Sequence, residues 1–192
     1  MKGRRSYIPY YYKPRSTKYS NETISFNCNL AAAVPPNTTF PENTGTDNPP
    51  GIMIVNPTNV FGNRKVKNFT VKITANGNED VILGALVYIP EGTVASRIMA
   101  GGMSQSIYEP NQNVISTFVI PPNVKRDSDA AITQVSAPTT VTVSNKLARN
   151  LNTGDYIVII LCSPNGLRCG PGTQGTAEQV YISGTVNYAI KF

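Results

Sequence analysis

The residues best placed to do chemistry in this chain are cations and phenols, and they are concentrated at one end. Lys2, Arg4, Arg5, Lys13, Arg15 and Lys18 fall within Met1–Ser20, a stretch with no acid. The whole chain holds 17 Lys and Arg against 11 Asp and Glu, so the eleven bases outside this stretch balance the eleven acids and the entire net charge of +6 sits in the first twenty residues. Five of the ten tyrosines are there too: Tyr7, Tyr10, Tyr11, Tyr12 and Tyr19. Lys and Arg neutralise phosphates and release counterions, and tyrosine rings offer stacking surfaces to unpaired bases. Lys2, Arg4, Arg5, Lys13, Arg15, Lys18, Tyr10, Tyr11 and Tyr12 are therefore the candidate nucleic-acid contacts. Lys65, Lys67 and Lys72 are the next candidates, in the body of the chain. A membrane surface is a poorer anionic partner, because Pro9 and Pro14 interrupt any amphipathic helix.

Catalysis by familiar routes is excluded by composition. The chain has no histidine, which removes Ser-His-Asp and Cys-His nucleophiles, common zinc ligand sets and the usual general base. Asp127 and Asp129, and the adjacent Glu79 and Asp80, form no catalytic pair by spacing. No calcium loop is legible. The run Gly170-Pro-Gly-Thr-Gln-Gly-Thr lacks the Lys-Ser/Thr of a phosphate loop. The expectation is a protein that is not an enzyme, with no catalytic residue, no metal and no cofactor. The cysteines are Cys28, Cys162 and Cys169. Cys28 alternates with Phe26 and Leu30 and reads as a core thiol. Spacing alone does not decide whether Cys162 and Cys169 are bonded, and reduced thiols are the expectation.

The elements that must position these groups are strands. A chain of 192 residues with 15 Gly, 15 Pro and 40% apolar residues fits one β-rich domain. Residues 1–20 read as a basic, Tyr-rich arm and 21–192 as a single shell domain. No apolar run of about 18 residues suggests a membrane helix. The charged N-terminus has no apolar stretch behind it, so a secretory signal is not expected; the sequons at Asn21, Asn37 and Asn68 then read as chance.

Period-two alternation or continuous apolarity marks eight strands: 23–31, 51–56, 66–74, 81–89, 113–120, 132–143 with a bend at Pro138, 155–162 and 179–191. In 66–74 the residues Phe69, Val71 and Ile73 share one side and Lys72 the other. The run at 81–89 is nearly all apolar, so it should be buried on both faces or lie very close to the middle; the run at 156–161 is too continuous for an exposed edge strand, which places Val158 and Ile160 in the sandwich core. Val34–Pro50, 91–112, Val124–Ala130 and Ser163–Thr176 read as loops, with a helical turn at Val94–Met99, and Asn76-Gly-Asn as a tight turn. Eight strands with uneven connections fit a two-sheet jelly roll or another β-sandwich, and the fold expected is an all-β, single eight-stranded jelly-roll sandwich with a basic N-terminal arm.

Four motifs then occur in order: Val87-Tyr-Ile-Pro-Glu-Gly-Thr, Tyr108-Glu-Pro-Asn-Gln-Asn-Val-Ile, Leu147-Ala-Arg-Asn-Leu-Asn-Thr-Gly-Asp and Ile182-Ser-Gly-Thr-Val-Asn-Tyr-Ala-Ile-Lys-Phe. Across about Val66 to Phe192 the chain resembles the capsid proteins of small circular Rep-encoding single-stranded DNA viruses, the circovirus-like and satellite-virus-like jelly rolls. The resemblance implies a closed icosahedral homo-oligomer of about sixty copies, with the N-terminal arms on a viral single-stranded genome. It also implies a place in the virion after assembly inside the host cell, the nucleus included. The arm departs from that pattern in being shorter and poorer in Arg. Sequence physics alone does not choose DNA over RNA, and names no host receptor. The competing class is a cellular β-sandwich binding module, lectin-like or a trimeric ligand domain; the basic arm argues against it.

Overall fold

A computed structural model describes residues 18–30, 34–36, 39–40, 51–59, 62–93, 113–126, 132–167, 170–171 and 177–192. Fourteen strands, in chain order, make it up: β1 (Ser20–Leu30), β2 (Thr39–Phe40), β3 (Ile52–Val55), β4 (Arg64–Asn76), β5 (Ile82–Ile89), β6 (Val114–Ile120) and β7 (Val124–Arg126), then β8 (Ile132–Val135), β9 (Thr139–Asn145), β10 (Arg149–Leu151), β11 (Tyr156–Cys162), β12 (Gly170–Pro171), β13 (Ala177–Glu178) and β14 (Val180–Lys191). No helix occurs among the described residues.

The long strands form two antiparallel five-stranded sheets. Sheet 1 runs β1-β14-β4, with β9 and β10 both pairing the far side of β4; sheet 2 runs β2-β11-β5-β6, with β3 also on β11. Hairpins β7-β8 and β12-β13 stand apart. A core cluster joins the sheets: Val66, Phe69, Val71, Ile73, Val186 and Ile190 from sheet 1 meet Ile82, Leu86, Phe118, Ile157, Ile159 and Leu161 from sheet 2. The chain is thus an all-β sandwich of two antiparallel sheets.

The eight expected stretches all fall on strands, but the count and several boundaries change. The stretch 132–143 is not one bent strand. It divides at Pro138 into β8, which pairs β7, and β9, which pairs β4. Proline has no N–H for a ladder and restricts the residue before it, so the chain changes partner there. Three expected loops carry short pairings: Val124–Arg126 is β7, Thr39–Phe40 pairs β11, and Gly170–Pro171 pairs β13. Asn76-Gly77-Asn78 does turn the chain out of β4. Gly77 has φ 85°, and a Cβ there would lie 2.6 Å from the Gln179 carbonyl oxygen, so only glycine fits.

Both faces of sheet 2 are apolar, as the continuous runs require, and β11 is buried at all seven positions. Val158 and Ile160, however, are not in the core between the sheets. They belong to a second cluster with Leu83, Ala85, Val87, Ile89 and Tyr156, on the opposite face of sheet 2. The physical reason is the pleat: Ile157, Ile159 and Leu161 take the inter-sheet side, so their neighbours take the other. Cys28 is half-buried against the inter-sheet core and Cys162 is buried in the second cluster; both thiols are free, and burial pushes both pKa values up. Cys169 and Val94–Met99 lie outside the described residues.

One polar hub ties the sheets together at the β4 start. Asp155 is buried. Its carboxylate accepts from the Tyr88 hydroxyl at 2.7 Å, the Glu91 N–H at 3.0 Å and the Asn152 N–H at 2.7 Å. The buried Arg64 guanidinium donates to the Asp155 and Asn56 carbonyls at 2.9 and 2.8 Å. Desolvation lowers the Arg64 pKa while the Asp155 charge opposes that. Burial, then the bond to Asp155, pushes the Tyr88 hydroxyl up to about 12. This hub is structural: every carboxylate oxygen already has donors.

Candidate nucleic-acid interface

Sheet 1 keeps a face that sheet 2 does not have. Cross-strand partners share a face, and the register sorts β4 cleanly. Val71 pairs with Val186 and Val143 on the core side; Lys72 pairs with Thr185 and Thr142 on the outward side. Outward rows from the other strands are Thr23, Ser25 and Asn27 on β1, Ser183 and Asn187 on β14, and Thr140 and Ser144 on β9. Side-chain bonds lace the face: Thr23 to Asn187 at 2.6 Å, Thr70 to Ser144 at 3.2 Å, and Thr74 to Thr140 at 2.8 Å. Among the described residues, the register puts no Asp or Glu there. Glu22, the one acid of β1, pairs with the buried Tyr188 on the core side.

A bulge decides which lysines join this face. Continuing the Phe69–Ile73 alternation backwards would turn Lys65 and Lys67 into the core. The structure does the opposite: Val66 is fully buried, Lys65 is exposed and Lys67 is half-buried. Between Lys67 and Thr70 on β4 there are two residues, but between their partners Ala189 and Asn187 only Tyr188. The extra residue is Asn68, at φ 57°. Bulges re-aim side chains, and asparagine tolerates this left-handed backbone better than most residues. Phe69 stacks on Tyr188, ring centroids 5.8 Å apart, beside the bulge. Lys65, Lys67 and Lys72 therefore share one face. Lys191, the register partner of Lys65, joins them; Ile190 is buried beside it, so the alternation of the last strand was the signal that could have found it.

The described end of the basic arm meets this face at its edge. Lys18 is exposed and Tyr19 precedes β1. The Lys67 Nζ sits 3.9 Å from the Tyr19 ring centroid, a cation–π contact that fixes where the chain enters the sheet. Lys2, Arg4, Arg5, Tyr10, Tyr11, Tyr12, Lys13 and Arg15 lie outside the described residues. Beside Lys72 the face dips into an open depression of about 580 Å³, rimmed by Ser25, Asn27, Thr74, Ser183 and Thr185. Hydroxyls, amides and ammonium groups on an extended surface can bind phosphate and sugar oxygens; they offer no nucleophile–base pair. Among the described residues no group of three His, Cys, Asp or Glu could hold a metal ion, and no helix is long and apolar enough to cross a membrane.

No family model matches the chain and no curated protein matches it. Among solved structures it is similar, at 10% identity, to a chain of the giant freshwater prawn Macrobrachium rosenbergii nodavirus semi-empty VLP. The match covers 100% of this chain and 95% of that one, with a TM-score of 0.27. A likeness of that size does not establish a shared fold.

Proposed function

We propose that this chain is a viral coat protein: a jelly-roll subunit that self-assembles into a small icosahedral shell and packages single-stranded nucleic acid. The observation that carries this reading is the convergence of two cationic elements. The acid-free face of sheet 1, with Lys65, Lys67, Lys72 and Lys191, meets the end of the basic arm at the Tyr19–Lys67 contact. Charge from both would line one side of the subunit, while residues 21–192 taken together sum to zero and oppose no packing of copies.

The strand order supports the jelly roll. The chain passes back and forth between the sheets: β1 in sheet 1, β2 and β3 in sheet 2, β4 in sheet 1, β5 and β6 in sheet 2, β9 and β10 in sheet 1, β11 in sheet 2 and β14 in sheet 1. That wiring suits a double-sheet jelly roll, an architecture used by capsids. Residues 1–20 then act as the arm and 21–192 as the shell domain. The choice of DNA, the copy number of about sixty and assembly in the host cell, the nucleus included, rest on the resemblance to circular single-stranded DNA virus capsids.

Negative-stain imaging of the purified protein, with its 260/280 nm absorbance ratio, tests this reading. Closed particles containing nucleic acid are expected. Deleting Met1–Lys18 should leave shells or shell fragments with much less nucleic acid. A discrete monomer or trimer would instead favour a β-sandwich binding module and sink the coat-protein reading.

A further inference from the structure

The two edges of sheet 1 are finished differently. β9, at one edge, has seven residues bounded by Pro138 and Lys146. The Asn145 amide donates to the Ile115 carbonyl of β6, which closes that side of the sandwich. β1, at the other edge, has eleven residues, about 37 Å of strand. Among the described residues it pairs with β14 alone, in a register without a bulge. It contains no proline, lysine or arginine. Its one charge, Glu22, is engaged by the Ser20 hydroxyl at 2.8 Å. Among the described residues this edge therefore lacks the proline, lysine or bulge that commonly blunts one.

A second observation is independent of the pairing. The core-facing row of β1, Ile24, Phe26, Cys28 and Leu30, packs against the inter-sheet core yet stays half-exposed, whereas the core-facing rows of β4 and β14 are buried. These side chains have apolar surface left to bury.

We propose that β1 is a docking edge for a second copy of this chain, the two β1 strands pairing antiparallel across a two-fold axis. Such a contact is isologous, with the same edge serving both subunits. β1 is suited to meeting itself. Its outward row of Asn21, Thr23, Ser25, Asn27 and Asn29 carries no charge to repel a twin, and its apolar row completes its burial against the twin's. A nucleic acid would find no cation on the strand. The pairing would also join the outward faces of two sheets into one continuous surface. The inference names one contact of the assembly proposed above and rests on that reading for the presence of further copies.

Hydrogen exchange of the full-length protein over a concentration series, with particle mass measured in parallel, tests it. Amides of 20–30 should gain protection as oligomers form, while those of 139–145 stay unchanged. Thr23→Lys with Asn27→Lys places like charges at two exposed positions of the edge; it should weaken self-association about tenfold and leave the circular dichroism spectrum intact. Oligomers that form with 20–30 still exchanging as in the monomer would overturn the edge contact and spare the assembly reading. A chain that stays monomeric at every concentration would overturn both.

Discussion

Sheet 1 and sheet 2 each have five strands and share one core, but they treat their second face in opposite ways. Sheet 2 buries a further apolar cluster behind the core, around Val158 and Ile160. Sheet 1 turns Ser, Thr, Asn and Lys side chains to the outside. A sheet apolar on both sides is committed to stability, because any polar group placed in it must be desolvated. A sheet with one wet face can change that face at little cost to the fold, so recognition has room to reside there. The candidate interface lies on sheet 1 for this reason.

The comparison breaks most sharply at matched positions. Ile160→Asp would bury an unpaired carboxylate and should cost roughly 4 kcal/mol or more. Thr142→Asp, exposed on sheet 1, should stay within about 0.5 kcal/mol and weaken nucleic-acid binding instead. Urea unfolding of the two variants measures the contrast; equal losses would mean the faces are misassigned. Next comes the hub that links the sheets. Asp155→Ala removes three bonds and leaves Arg64 buried beside no carboxylate, at a cost of about 3 kcal/mol. Asp155→Asn should cost less, with the same unfolding assay separating them.

Binding sharpens the picture within sheet 1. Six arm cations and four sheet lysines on a single strand predict a slope of log K against log[salt] of about −7, and deletion of Met1–Lys18 should leave about −3. A truncated chain with a slope near zero would confine binding to the arm. Asn68→Val, forcing a β-branched residue into φ 57°, should lose about 1–2 kcal/mol, whereas Asn68→Gly should be close to neutral. Thermal melts report both. The smallest effect is alkaline. The Tyr88 pKa is raised from 10.0 to about 12 in the fold, so the folded state holds its proton longer than the unfolded chain. The stabilisation is complete below pH 10 and lost as pH rises through about 12. Tyr88→Phe should flatten the fall of the melting temperature across that window.

Much of this was readable from sequence because strands have a period of two. The alternation in Thr23–Leu30, the continuous apolarity of 82–89 and 156–162, and the turn at Asn76-Gly77 all come through. Two things did not. The pleat makes neighbours in an apolar run indistinguishable, so nothing in Tyr156–Leu161 says which residues face the core; Val158 and Ile160 were misplaced for that reason. The lysine face was hidden by the bulge. Its trace is the three-residue gap between the buried Val66 and Phe69, with Asn68 inside it, where period two allows only even gaps. The Asp155 hub was silent because, of its donors, only Asn152 is local; Tyr88 and Glu91 are brought to it by the fold.

That gap in β4 behaves like a change of phase in a code read two letters at a time. Upstream of Asn68 an odd-numbered residue is outward; downstream it is inward. Straightening the bulge with the length of β4 unchanged would invert the reading of everything before it, carrying Lys65 and Lys67 into the core and Val66 out. Removing Asn68 instead makes the gap even, with Val66 still inward and Lys65 and Lys67 still outward. The bulge also falls where β4 changes neighbour, from β10 at Arg64–Val66 to β9 at Phe69–Ala75, so an inverted segment would meet only the short β10 and the end of β14. Deletion of Asn68 should therefore be tolerated where deletion of a residue inside the regular run Phe69–Ile73 is not, and thermal melts of single-residue deletions across 64–73 would show the difference.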